Sequence, residues 1–136
     1  MREILGKDGD SRLRDAICGH VDWLRKFQVC IEKGALDRSA HDISCHNKCD
    51  FGKWLETLAV DPSDPTLQKF GIIDGLHRRF HSQAGDIAHK IEAGLQQEAQ
   101  EAFSSKSFRR MTHSLVLNLH DWRQDFKASM TPGDSL

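Results

Sequence analysis

Residues 67–91, LQKFGIIDGLHRRFHSQAGDIAHKI, place Leu67, Phe70, Ile73, Leu76, Phe80, Ala84, Ile87 and Ile91 at steps of three and four, the period of an amphipathic helix that extends as far as Leu95. Gly71, Gly75, Gly85 and Gly94 weaken that helix intrinsically, so its stability must come from packing against other elements. Upstream, Asp61-Pro62-Ser63-Asp64-Pro65 breaks the chain, and Asp64 as N-cap with Pro65 in the first helical position is the expected start. A short helix over Cys49–Leu58 precedes the break, with Asn47 as its N-cap and Phe51, Trp54, Leu55 and Leu58 on one face. Before it lies a polar connection, Asp37 to Lys48, without periodicity. The first helix spans Ser11–Lys33, with Leu13, Ile17, Val21, Leu24, Phe27 and Ile31 as its stripe and Gly34 as its terminator. A last helix covers about Gln96 to Ala128, striped by Phe108, Met111, Leu115, Leu119, Trp122 and Phe126, and Ser104-Ser105-Lys106-Ser107 is where a kink is expected. No segment alternates with period two, so the expected fold is all-α: an antiparallel four-helix bundle of three long helices and one short one.

The 136 residues are 38% hydrophobic and 29% charged, which describes one packed domain and excludes a disordered tail. Lys and Arg number 19 against 20 Asp and Glu, and no basic stripe or polybasic segment stands out. Nucleic acid and lipid are therefore not expected partners. The longest aliphatic run, Leu115-Val116-Leu117, is far too short to cross a bilayer, and the N-terminal stretch carries acidic residues and no apolar run, so a cytoplasmic location is expected. Reducing conditions there shift the reading of Cys18, Cys30, Cys45 and Cys49 away from disulfides and toward metal or redox chemistry.

On helical wheels His20 falls within the stripe of the first helix, His77 near the centre of the stripe of the third, and His81 on its flank one turn later. An i, i+4 pair of histidines can share one ion. Burying three imidazoles without partners is costly, and a metal ion removes that cost. Cys49, at the N-terminal end of the short helix where free amides favour a thiolate, supplies a fourth ligand of the kind zinc takes in closed tetrahedral sites. His46, and a separate dithiol of Cys45 and Cys49, remain open as alternatives. Cys18 lies opposite the stripe of the first helix and Cys30 on its margin, His41, His89, His113 and His120 lie in the connection or off the stripes, and all six read as bystanders.

Taken in order, His20-Val21-Asp22-Trp23, Cys49-Asp50-Phe51-Gly52-Lys53-Trp54 and His77-Arg78-Arg79-Phe80-His81 form H-x-x-W, C-x-F-G-x-W and H-x-x-x-H blocks, and with them the chain resembles the chemoreceptor zinc-binding (CZB) domain family over about Leu13 to Phe126. The resemblance implies a four-helix bundle holding zinc through His20, Cys49, His77 and His81. It also implies a cytosolic sensory or regulatory module, commonly homodimeric, that answers zinc availability or oxidants such as hypochlorous acid and relays to chemoreceptors or diguanylate cyclases. The chain is expected to be a single domain over 1–136, core about 13–126, without an output domain of its own. Its effect would then pass through association with another protein.

Cys45 and His46 lie outside the motif blocks and stay open as a resolving thiol or a substitute ligand. Asp22, Asp50 and Asp74 are candidates to orient the imidazoles, and Trp23 and Trp54 to shield them. Rival readings are a purely structural zinc-stapled bundle, a hemerythrin-like di-iron oxygen binder, which needs inward carboxylates that the stripes lack, and a thiol oxidoreductase using Cys45 and Cys49. No nucleophile elbow, phosphate loop or H-E-x-x-H is present, so no enzymatic activity is expected. Val116 and Leu117, off the last stripe, are a candidate second apolar contact for a homodimer.

Overall fold

The structure, a computed structural model, describes residues 2–58, 63 and 67–130. It is built from α1 (Arg2–Lys33), α2 (Ala40–Ser44), a 3₁₀ turn (His46–Lys48), α3 (Asp50–Thr57), α4 (Phe70–Glu92), α5 (Gln96–Phe103) and α6 (Lys106–Met130), with no strand among the described residues. The expected all-α bundle is the fold that forms. Gln28 on α1 meets Gln100 on α5, and Asp10 near the start of α1 meets Arg123 near the end of α6. Thus α1 and α6 run antiparallel. Likewise Phe70 at the start of α4 packs on Trp122 late in α6, while Phe80 stacks on Phe108 near its beginning. α4 therefore also opposes α6.

The second position of the bundle is where sequence and structure differ most. The stretch read as an aperiodic connection contains α2 and the 3₁₀ turn, and these two run on into α3. Ala40 N–H donates to Glu92 at the far end of α4, Ser44 lies against Gly85, and Cys49 reaches His77, so α2, the 3₁₀ turn and the N-cap of α3 descend α4 in order, and α3 then packs through Trp54 on α6. Ser39 caps α2 by accepting from the Asp42 amide. The N-cap of α3 is Cys49, whose Sγ accepts from the Gly52 amide, and not Asn47. Periodicity missed these elements because α2 and the 3₁₀ turn are too short for a repeat to show.

Other boundaries shift for local reasons. α1 begins at Arg2, well before the apolar stripe does. α4 is helical from Phe70 with Lys69 as N-cap, and the expected cap at Asp64 and Pro65 lies outside the described residues. It ends at Glu92 because Gly94 takes a positive φ of 78°, as Gly34 does at 70° after α1, a conformation that costs glycine little. The expected kink at Ser104–Ser107 is a full break between α5 and α6, with the Ser105 hydroxyl accepting from the Phe108 amide to start the new helix.

The core follows the predicted stripes closely. Leu13, Ile31, Ile73, Phe80, Leu115, Leu119, Trp122 and Phe126 are almost wholly buried. Val21 is an exception at 43% exposure, since His20 and Trp23 turn inward beside it and rotate it outward; Leu95, beyond α4, is also exposed. Of the two residues proposed as a second apolar contact, Val116 packs against the core and Leu117 is exposed. At the end of the bundle away from Gly34, Lys69 pairs with Asp125 at 2.7 Å and Arg123 with Asp10 at 2.6 Å, tying α4 and α1 to α6.

Two substitutions probe this packing. Trp122→Ala empties a site beneath Trp54, Phe70 and Phe126 and is expected to cost about 3–5 kcal/mol in urea unfolding. Gly85→Ala sets a methyl group 2.5 Å from Ser44 Cβ and 2.9 Å from its Cα, so α2 must move off α4. The expected loss is about 1–3 kcal/mol, with an unchanged helical circular dichroism spectrum.

Candidate metal centre

Three imidazoles from two helices meet in the core. α1 turns His20 inward at 8% exposure, and α4 presents His77, fully buried, with His81 one turn on. Their ligand-capable nitrogens all lie within 4.8 Å of one another. The ring centroids of His20 and His77 are 5.2 Å apart, those of His77 and His81 4.6 Å, and those of His20 and His81 6.4 Å. Helix periodicity alone brings His77 and His81 together. Only the packing of α1 on α4 adds His20.

Main-chain carbonyls fix two of the rings. His20 Nδ1–H donates to the Ala16 carbonyl at 2.7 Å and His81 Nδ1–H to the Ile43 carbonyl at 2.8 Å. A carbonyl can only accept, so each Nδ1 carries the proton and each Nε2 is left as a lone pair. His81 Nε2 lies 3.1 Å from His77 Nε2, and the Cys49 Sγ lies 3.3 Å from that same nitrogen. His77 Nδ1 is buried with no hydrogen-bond partner. Neutral His77 can carry its proton on Nε2 and donate it to one such neighbour, whereas a cation between the rings satisfies several of these lone pairs together.

The donor set fits zinc. Metal–nitrogen bonds near 2.0–2.1 Å and a metal–sulfur bond near 2.3 Å in a tetrahedron put ligand atoms about 3.3–3.6 Å apart. The His77–His81 and His77–Cys49 separations are already close to such edges. Neutral imidazole is the ligating form, and burial holds these rings neutral: His77 is pushed down to about 2 and His81 to about 4, burial being the main cause in both, and His20 is lowered for the same reason. The cluster contains no carboxylate among the described residues, which leaves a di-iron reading without its bridging groups.

All four sequence-predicted residues are thus brought to one place, although Cys49 closes on His77 and the tightest mutual grouping is that of the three histidines. In the metal-free site the helix-end amides expected to favour a thiolate are opposed by burial. Burial raises the Cys49 thiol and outweighs the lowering by the Gly52 and Phe51 amides, with Asp50 raising it further. Without a cation beside it, the thiol form is favoured.

The expected orienting carboxylates are not used in that way. Asp22 pairs with Arg25 and Lys26, and Asp74 with Arg78, while carbonyl oxygens of Ala16 and Ile43 hold the rings. A carbonyl carries no sequence signature, so this arrangement was not legible beforehand. Trp54 is buried against Phe51, Trp122 and Phe126, and Trp23 stacks on Phe27 and meets Phe80 edge-on, which supports the packing role expected of both. Cys18, His41, His89, His113 and His120 are exposed, as expected of bystanders. Cys30 instead is buried in the core.

A cavity of about 310 Å³ borders the cluster, with His20, Cys49 and His81 in its wall, Trp23, Phe51 and Phe80 as its aromatic lining, and exposed Arg12 and Arg38 at its rim. No curated protein matches the chain, and no solved structure does. A family model described as the chemoreceptor zinc-binding domain matches residues 20–88. That match opens on His20, takes in Cys49, His77 and His81, and spans just over half of the 136 residues. On this match, with a buried cluster of donors suited to zinc, the chain belongs to the chemoreceptor zinc-binding domain family.

Proposed function

We propose that the chain is a non-catalytic sensory or regulatory domain in the cytoplasm that holds one zinc ion through His20, His77, His81 and Cys49. The single observation that carries this reading is the convergence of three imidazoles, two of them buried and one half-buried, and a cysteine sulfur within the stretch matched by the family. Bound zinc supplies a strong positive charge that keeps Cys49 as thiolate. Among the described residues no helix is long and apolar enough to cross a membrane.

The interrupted second helix is the element that responds. Cys49 sits between the 3₁₀ turn and α3, so its bond to the metal pins that segment against α4. The cavity beside Cys49 admits a small oxidant such as hypochlorous acid to the sulfur. The thiolate takes up the oxygen, becoming sulfenic acid as chloride leaves, and its hold on the centre is lost. Withdrawal of zinc frees the same segment. A rearrangement of α2, the 3₁₀ turn and α3 would then be read by a partner, a second copy of the chain or a chemoreceptor or diguanylate cyclase signalling protein.

Metal content by mass spectrometry on protein purified without added metal tests the site. About one zinc per wild-type chain is expected, with His77→Ala largely metal-free under a competing chelator; equal content in the two proteins would overturn the assignment. Zinc removal should alter the α2–α3 segment while leaving α1, α4 and α6 folded, as read by amide hydrogen exchange. Global unfolding on removal would instead favour a structural staple.

The depressed imidazole pKa values set the acid behaviour of the metal-free protein. Below about 6.5 the unfolded chain takes up protons on these histidines while the folded one refuses them. Stability of the chelated protein should therefore hold above that pH and fall as the pH drops toward the His81 value of about 4. Urea midpoints measured between neutral pH and that point check the sign.

A further inference from the structure

His46 is the histidine that the proposed ligand set leaves unused, although it stands at the first position of the 3₁₀ turn that ends just before Cys49. Its ring centroid is 6.5 Å from that of His77, with the planes perpendicular. The separation is nearly the same as the 6.4 Å between His20 and His81, both members of the tight cluster. Among the described residues no hydrogen bond holds the His46 ring in place.

The backbone couples His46 to the cysteine it neighbours. Cys49 Sγ–H donates to the His46 carbonyl at 3.5 Å, and a methyl group on Gly52 would collide with that same carbonyl oxygen. His46 and Cys49 are therefore two ends of one tight turn held against the start of α3. A movement that carries the sulfur away from His77 pivots on the residue bearing the fourth imidazole.

We propose that His46 is a reserve zinc ligand, which enters the centre when the Cys49 sulfur leaves it and converts a site of three histidines and one cysteine into a site of four histidines. Zinc strongly prefers a complete tetrahedron, and a neutral imidazole on the same short segment meets that need with a ring displacement of side-chain size. Loss of the thiolate then changes the ligand set, and with it the position of the 3₁₀ turn, without emptying the site. This inference rests on the zinc-centre reading and adds to it how the centre responds when its sulfur is removed.

The test compares zinc affinity, by competition with a chromophoric chelator, in wild type, Cys49→Ala, His46→Ala and the Cys49→Ala/His46→Ala double variant. Circular dichroism confirms that each is folded. His46→Ala alone should bind zinc as wild type does, Cys49→Ala at least about tenfold more weakly, and the double variant at least about tenfold more weakly again. Cobalt(II) gives a second readout. Thiolate-to-metal charge transfer should vanish in Cys49→Ala while the intense ligand-field bands of a tetrahedral ion persist, and those bands should collapse in the double variant. Equal affinities and equal cobalt spectra for Cys49→Ala and the double variant would overturn the reserve role while leaving the site intact. Failure of the site itself would show separately, as wild type and His77→Ala holding the same amount of metal.

Discussion

The convergence of imidazole lone pairs from α1 and α4 is the constraint on which the rest of this structure depends. His20 and His81 give their Nδ1 protons to main-chain carbonyls, so the nitrogens that remain can only accept, and they do so inside a core where water is scarce. Burial holds the rings neutral, which removes the option of solving the problem by protonation. A neutral His77 ring can donate one Nε2–H to a single neighbour, whereas a cation satisfies several such acceptors at once. Since the carbonyls come from α1 itself and from α2, the position of the whole second element of the bundle is tied to this centre.

That element is interrupted where an uninterrupted helix would carry the cysteine differently. The extended backbone of Cys45 and of Cys49 brackets the 3₁₀ turn, and it lets Cys49 serve as N-cap of α3 while its sulfur faces His77. Close contact is required on both sides of the turn, at Gly85 against Ser44 and at Gly52 against the His46 carbonyl. A segment assembled from short helices held by close packing has little stability of its own and can move without dismantling the long helices. It is joined to the core through Trp54, which packs on Trp122 and Phe126, while α1, α4 and α6 also meet one another directly through contacts such as Phe70–Trp122 and Phe80–Phe108.

Much of the site was legible because the helical wheel is a reliable map of burial. It turned His20 and His77 inward and put His81 on the flank, and the structure places them so. The wheel says nothing about which helices become neighbours, about carbonyl oxygens as ring anchors, or about irregular segments. Asp22 and Asp74 looked suitable as orienting carboxylates from their positions next to ligands, yet each faces its own helix surface and pairs there with a basic residue three or four places away. Val21 illustrates the same limit: it fits the apolar period of α1, but only one side of the helix is covered.

The sequence by itself determined the helical class, the long stripes, the three motif blocks and the identity of the four candidate ligands, since periodicity and side-chain chemistry are local properties of the chain. Tertiary structure decided what depends on distant residues meeting. It brought His20 beside His77 and His81 across helices, broke the second helix into α2, a 3₁₀ turn and α3, and set a fourth imidazole, His46, at the edge of the cluster. It also sets the balance on the metal-free Cys49 thiol, because the burial that raises it is a product of packing, whereas the helix-end amides that lower it are a product of position in the sequence.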